Sequence, residues 1–312
     1  MSSIVDKAKN DVKVATSSGS QFEQGYKVPI QQQPLPGKES DLDPPATREK
    51  VPKEDGGYKT YKAAGKLEGR KALITGGDSG IGAAVAILFA MEGADSLITY
   101  LPEEEEDAQR TKKRVEEHGQ QCHTLAVDLK SAANCKKAVE TAVDAMGSIN
   151  ILVNNHGTQM MKNDISEITE EQWLNTFDTN IHPFFFLSKY TLPYMKRGDT
   201  IINCASVNAY IGRPDLLDYT SAKGAIVAFT RGLSNQQISK GIRVNCVCPG
   251  PIWTPLIPST MTKEAVDEFT APLGRPGQPS EVATCFVFLA STDSSYMSGQ
   301  SLHPNGGVVV NG

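Results

Sequence analysis

The stretch "RKALITGGDSGIG", residues 70–82, joins a short apolar run to a glycine-rich turn and then to a helical pattern. Ala72, Leu73 and Ile74 form the run, and Val85, Leu88 and Phe89 follow at a spacing that puts them on one helical face. A strand that runs into glycines at a helix start leaves bare backbone N–H groups where a pyrophosphate can approach. Gly76, Gly80 and Gly82 occupy that junction, with Ser79 and Ile81 between them. The spacing is T-G-x-x-x-G-x-G rather than G-x-G-x-x-G. Glycine-rich loops are frequent, so the weight of this one depends on its surroundings.

The surroundings repeat the same grammar. "DSLITY" (95–100), "CHTLAVDL" (122–129), "INILVNN" (149–155), "TIINCAS" (200–206) and "GIRVNCVCPG" (241–250) read as strands, with "SLHPNGG" (301–307) as a last short one. Between them lie helical patterns at about 102–118, 131–146, 169–178, 181–196, 219–240 and 279–290. Strands that are almost wholly apolar, alternating with helices, predict a parallel sheet covered on both faces. The fold class is therefore α/β, a Rossmann-type doubly wound sheet in one domain from residue 66 to 312. Such sheets bind ligands at the carboxyl ends of their strands.

Residues 1–65 have a different texture. "QQQPLPGKESDLDPPATREKVPKEDGG" carries Pro34, Pro36, Pro44, Pro45 and Pro52 and almost no apolar periodicity. It reads as a flexible or extended N-terminal arm that contributes no core. Over the whole chain, 312 residues with 39% hydrophobic and 21% charged side chains and a net charge of −5 indicate a soluble globular protein. That balance gives no electrostatic footprint for nucleic acid or an anionic membrane surface. The start of the chain lacks the apolar core of a signal peptide, and no apolar run is long enough to span a bilayer. Six cysteines are scattered without a C-x-x-C pair, so reduced core thiols in the cytoplasm are expected, with no metal site.

Further candidates sit where the strands end. Asp128, next to Leu129, either accepts from an adenine amino group or caps the following helix. Asn155 and Gly157 belong to "NNHG" (154–157), and Ser206 closes "TIINCAS". Thirteen positions after that serine, "DYTSAKGA" (218–225) places Tyr219 and Lys223 four apart on one helical face. Pro249, Gly250, Ile252 and Thr254 follow in "CPGPIWT". Each signal is weak alone.

Taken in order, they resemble the short-chain dehydrogenase/reductase family across residues 66–312. Within it, "QPLPGKES" in the arm and "LLDY" before the lysine are similar to the glucose/ribitol dehydrogenase-like subgroup. The resemblance implies an oxidoreductase moving a hydride between a nicotinamide cofactor and a carbonyl or secondary alcohol. Tyr219 would be the general acid/base, with Lys223 lowering its pKa and binding the nicotinamide ribose. Ser206 would orient the substrate oxygen, and Asn180, in "DTNIHPF", would hold a water linking Lys223 to solvent. The family's assembly implies a homotetramer, with the apolar helices at 181–196 and 219–240 packed on their copies. A ketoreductase of secondary metabolism and a dinucleotide sensor without turnover are the alternatives. The intact Asn180, Ser206, Tyr219 and Lys223 set speaks against the sensor.

Two positions depart from the family pattern. His156 stands where an alanine is usual, and is read as crowding the cofactor or pointing into a loop. At the end of the second sheet strand, where Asp would select NAD and Arg NADP, the chain has Thr99, Tyr100 and Leu101. With no acid to repel a 2′-phosphate and two hydroxyls to meet it, NADP is expected, NAD being the alternative. Trp253 and the proline-rich 255–276 segment are expected to form a flexible lid over the substrate.

Overall fold

The computed structural model describes residues 20–311. An antiparallel pair, β1 (Lys50–Pro52) and β2 (Tyr58–Thr60), lies in the arm. Then come β3 (Lys71–Thr75), α1 (Gly80–Met91), β4 (Asp95–Tyr100), α2 (Glu105–Glu116), β5 (Cys122–Ala126), α3 (Ala132–Met146) and β6 (Ile151–Asn154). The second half runs α4 (Glu170–Asn180), α5 (His182–Thr191), β7 (Thr200–Cys204), α6 (Asn208–Ile211), α7 (Leu217–Gln237) and β8 (Arg243–Val247). It closes with α8 (Leu256–Thr260), α9 (Lys263–Asp267), α10 (Pro279–Ala290) and β9 (Ser301–Leu302).

Seven strands pair in parallel in the order β5-β4-β3-β6-β7-β8-β9. The chain leaves β3 in one direction and returns through β6 in the other, so the carboxyl ends of these two strands flank the topological switch point. One apolar layer, with α1 and α10, covers one face, and a second, with α3, α5 and α7, covers the other. This is the doubly wound α/β architecture.

α1 differs from its expected one-sided pattern. Ten of its twelve residues are buried, because it lies between the sheet, α2 and α10. A helix surrounded by protein has no polar face to display.

The arm also differs from expectation. Phe22, Tyr26, Val28, Leu42 and Ala46 are buried, and all but Phe22 share a core cluster with Trp253, Ile257, Met261, Val266 and Phe269. Trp253 is fully buried, and its indole N–H donates to the Pro44 carbonyl at 2.9 Å. The supposed lid is therefore built into two short helices pinned by the arm, and the arm supplies core after all. A mobile end was expected over about the first 25 residues: residues 1–19 lie outside the described residues, and Phe22, within the remainder, is buried.

Candidate active site

A cavity of about 840 Å³ opens at the carboxyl ends of β3, β4, β6, β7 and β8. Its floor at the switch point is made by the glycine loop. Gly76 and Gly80 have φ of +60° and +49°, in the left-handed region. A Cβ on Gly82 would come within 1.9 Å of the Gly76 carbonyl oxygen. Only glycine lets the first turn of α1 sit this close to the end of β3, and that closeness turns the N-terminal N–H groups of α1 toward the loop.

The loop is braced from β6. Asn155 donates through Nδ2 to the carbonyls of Thr75 and Gly76, both at 3.1 Å. The Asn155 N–H donates to Thr75 Oγ1 at 2.9 Å. Thr75 Oγ1 also lies 2.7 Å from His156 Nδ1, and the His156 ring packs 5.3 Å from Phe184. Burial, then the nearby Lys223 charge, holds His156 down to about 3. Held neutral, the half-buried imidazole packs between Thr75 and Phe184 at the cavity wall and braces the loop.

At the far end, Ser206, Tyr219 and Lys223 converge, each at least nine-tenths buried and each lining the cavity. Ser206 Oγ accepts from the Asn208 N–H at 3.1 Å, which leaves its hydroxyl proton to point elsewhere. Lys223 Nζ donates to the Cys204 carbonyl at 2.8 Å and lies 5.4 Å from the Tyr219 ring centroid. Burial pushes the Tyr219 phenol well above its ordinary range, and the Ser206 hydroxyl pulls back against it. Burial likewise holds the Lys223 ammonium below its own ordinary range. In the protein alone, desolvation thus outweighs the lowering of Tyr219 expected from Lys223, whose ammonium is already engaged at Cys204.

Asn180 ends α4, where the chain breaks into α5. Its Nδ2 donates to the carbonyls of Thr158 and Thr176, and its Oδ1 accepts from the Thr158 N–H. Both amide protons are committed, so a water there would have to be held through oxygen. Gly157 fills the gap to Lys223: a Cβ on it would lie 2.6 Å from Asn180 Oδ1 and 3.5 Å from Lys223 Nζ.

The remaining expected residues divide. Gly76, Ser79, Gly80, Ile81, Thr99, Tyr100, Asp128, Leu129, Asn155, Gly157, Pro249, Gly250, Ile252 and Thr254 all line the cavity, whereas Gly82 and Asn180 support it from behind. Ser131, not Asp128, caps α3, and Asp128 Oδ1 accepts from the Lys130 N–H at the cavity wall. Thr99 Oγ1 is buried without a partner, while the Tyr100 hydroxyl donates to Glu105 at 2.7 Å. Tyr100 is therefore not available to a phosphate in the way its sequence position suggests.

Asp78 and Glu104, absent from the expected set, face the cavity beside Thr99 and Tyr100. Burial and then the neighbouring Glu104 push Asp78 up to about 8, and burial raises Glu104 as well. Burial beside a second carboxyl thus favours the protonated form of Asp78, the form that can donate a hydrogen bond. Asp78 occupies a variable position of T-G-x-x-x-G-x-G, and only the fold brings it beside Glu104.

Positive-φ glycines beneath helix N–H groups and an unpartnered Thr99 hydroxyl are what a dinucleotide needs, so the residues present fit such a group.

Residues 76–309 match a family model described as "Enoyl-(Acyl carrier protein) reductase". The glucose and ribitol dehydrogenase of Daucus carota is 49% identical over 303 residues, covering 95% of this chain and all of that protein. "NADPH-dependent aldehyde reductase 1, chloroplastic" of Arabidopsis thaliana is 51% identical over 259 residues, 80% of this chain and 90% of that one. Among solved structures, a short chain dehydrogenase of Burkholderia cenocepacia in complex with NADP superposes with a TM-score of 0.73 at 28% identity. That match covers 78% of this chain and 98% of the other. Glycine cradle, parallel sheet and sequence kinship agree, and the chain belongs to the short-chain dehydrogenase/reductase family of oxidoreductases.

Proposed function

We propose that the protein interconverts a carbonyl compound and the corresponding alcohol with NADP(H), using Ser206, Tyr219 and Lys223 as its reacting set. The observation that carries this reading is the convergence of those three buried side chains on one end of a cavity whose other end is the glycine cradle. The cofactor would supply or take the hydride. Tyr219 gives a proton to the substrate oxygen, or takes one from it, and Ser206 donates a hydrogen bond that orients that oxygen. Lys223, held at the Cys204 carbonyl, keeps a positive charge near the phenol and would bind the nicotinamide ribose. Lys223 favours the phenolate of Tyr219 against the cost of burial, and an oxidised nicotinamide would add a second positive charge. Asn180 keeps the 157–158 turn against α4, which preserves the space beside Lys223.

NADP(H) is favoured because no carboxylate ends β4 to reject a 2′-phosphate, and because NADP or NADPH stands in the names of relatives. Thr99 and protonated Asp78 are the donors available there. Of the two helices expected at contacts between copies, α5 exposes Phe185, whereas α7 exposes only Leu217 of its large apolar side chains, at its start. With Trp173 and Leu174 of α4, α5 supports a homotetramer, and free thiols, five of six buried, suit a cytoplasmic setting. No described helix is long and apolar enough to cross a membrane. A screen following NADPH and NADH absorbance across sugars, polyols, aldehydes and polycyclic ketones tests the reading. Turnover of none of them with either cofactor would overturn it.

A further inference from the structure

The arm reaches the nucleotide end of the cavity, where nothing in the family's motifs calls for it. Leu35, Pro36 and Gly37 line the cavity wall, and Gly37 is packed so tightly that a Cβ would lie 2.3 Å from the Pro255 carbonyl oxygen. Two residues on, Glu39 turns away from the cavity and approaches the glycine loop from outside. Its Oε2 accepts from the Gly80 N–H at 2.9 Å, while its Oε1 is buried without a partner. The backbone N–H groups of Glu39 and Ser40 donate to the Asp107 carboxylate on α2, at 2.6 and 3.2 Å. Burial, the leading cause, raises the Glu39 carboxyl, and Arg48 is the nearby cation opposing that rise.

An isolated buried carboxylate is costly, so its position calls for a physical reason. The first N–H of a twelve-residue helix offers one, through the aligned peptide dipoles. Gly80 is also a left-handed residue of the loop, and a fixed acceptor on its N–H holds the loop in one conformation. We propose that Glu39 is a positioning residue for cofactor binding: from outside the cavity it locks Gly80, so that the neighbouring N–H group of Ile81 is set in advance for a diphosphate. A site ordered beforehand binds more tightly because it loses less freedom on binding. The negative charge itself works against a diphosphate, so the hydrogen bond and the charge have opposite effects on affinity.

This inference rests on the reading of the cavity as a dinucleotide site, and three substitutions in the full-length protein separate the two. Glu39→Gln keeps an acceptor at the same reach without the charge. Glu39→Asp keeps the charge but withdraws it by one methylene, and Glu39→Ala removes both. NADPH affinity is measured by fluorescence titration, with folding checked by circular dichroism. Glu39→Asp and Glu39→Ala should weaken NADPH binding by about fivefold or more, as befits loss of one charge-assisted bond. Glu39→Gln should stay within about twofold of the parent or bind more tightly. In steady state the loss should fall on the KM for NADPH rather than on kcat, and amides 80–82 of the cofactor-free Glu39→Asp protein should exchange faster with solvent. Should Glu39→Ala fail to fold, the Asp and Gln pair decides alone. Parent-like binding by Glu39→Asp, or equal losses in Glu39→Asp and Glu39→Gln, would overturn the positioning role while leaving the dinucleotide site intact. A parent protein that binds neither NADPH nor NADH would overturn both.

Discussion

Tyr219 and Asp78 are opposite uses of the same physics at the two ends of one cavity. Both are buried, and burial favours the neutral form of each. At Tyr219 the neutral phenol is the proton donor in the reducing direction. Tyr219→Phe should therefore lower kcat by about 10²-fold to 10⁴-fold, the usual worth of a positioned general acid, while NADPH still binds. Rapid turnover by that variant would sink the assignment. At Asp78 the folded-state pKa of about 8 lies above the ordinary carboxylate value of 3.8. A raised pKa means that the folded state holds the proton more tightly than the unfolded one. The stability this contributes is complete below pH 3.8 and declines as pH rises through about 8. Asp78→Asn keeps a donor without the titration, so it should raise the melting temperature at pH 9, with a gain on the order of 1–3 kcal/mol, and matter less at pH 6. If the Asp78→Asn variant and the parent lose stability in parallel between pH 6 and 9, Asp78 is not the group responsible. Ionised Asp78 would also oppose a 2′-phosphate, so the ratio of kcat/KM for NADPH over NADH should fall as pH passes about 8.

Elements with strong local patterns were legible in the sequence. β4 and α10 run as expected, because a Leu-Ile pair followed by the strand formers Thr99 and Tyr100, and a Pro-led helix start, are local signals. The arm was not legible. Its buried residues, Phe22, Tyr26, Val28, Leu42 and Ala46, follow no period, and Trp253, the partner of the last four, lies some two hundred residues away. Likewise Glu39 on Gly80 and Asp107 on Glu39 are contacts made by topology, and no window of sequence holds both partners. The candidate site was more legible than the arm because family motifs fall at strand ends, which the fold then gathers at one edge of the sheet. The junction of β3 and α1 gives a test at this scale. Gly82→Ala drives a methyl into the Gly76 carbonyl oxygen, a backbone atom that cannot swing aside. The cost should be about 2–3 kcal/mol, with a marked loss of NADPH binding, read by thermal melt and titration. A fully stable Gly82→Ala variant with parent affinity would show that the loop has slack the structure does not reveal.

For the molecule as a whole, the arm and the apolar faces make separate, checkable claims. The arm is tied at many points: Arg114 on α2 forks onto Glu49, Thr47 pairs with Gln278 and Ser280, and the Gln33 N–H donates to the Pro258 carbonyl. A chain starting near Gly65 would expose the Trp253 cluster to water, a loss of several kcal/mol at ordinary burial energies. Its melting temperature should drop by about 10 °C or more. An unchanged melting temperature would reduce the arm to a passenger. The apolar faces concern assembly. Leu174 on α4 and Phe185 on α5 are each about half exposed, Trp173 is nearby on α4, and α4 packs against both α5 and α7. Side chains of this kind, grouped on adjoining helices, are what two-fold contacts between copies cover. Light scattering on the parent should give a tetramer at micromolar concentration. Leu174→Asp combined with Phe185→Asp should give a smaller species with native circular dichroism, since a charge at a two-fold contact meets its own copy across the interface. A monomeric parent, or a double variant that remains tetrameric, would place the assembly surface elsewhere or remove it.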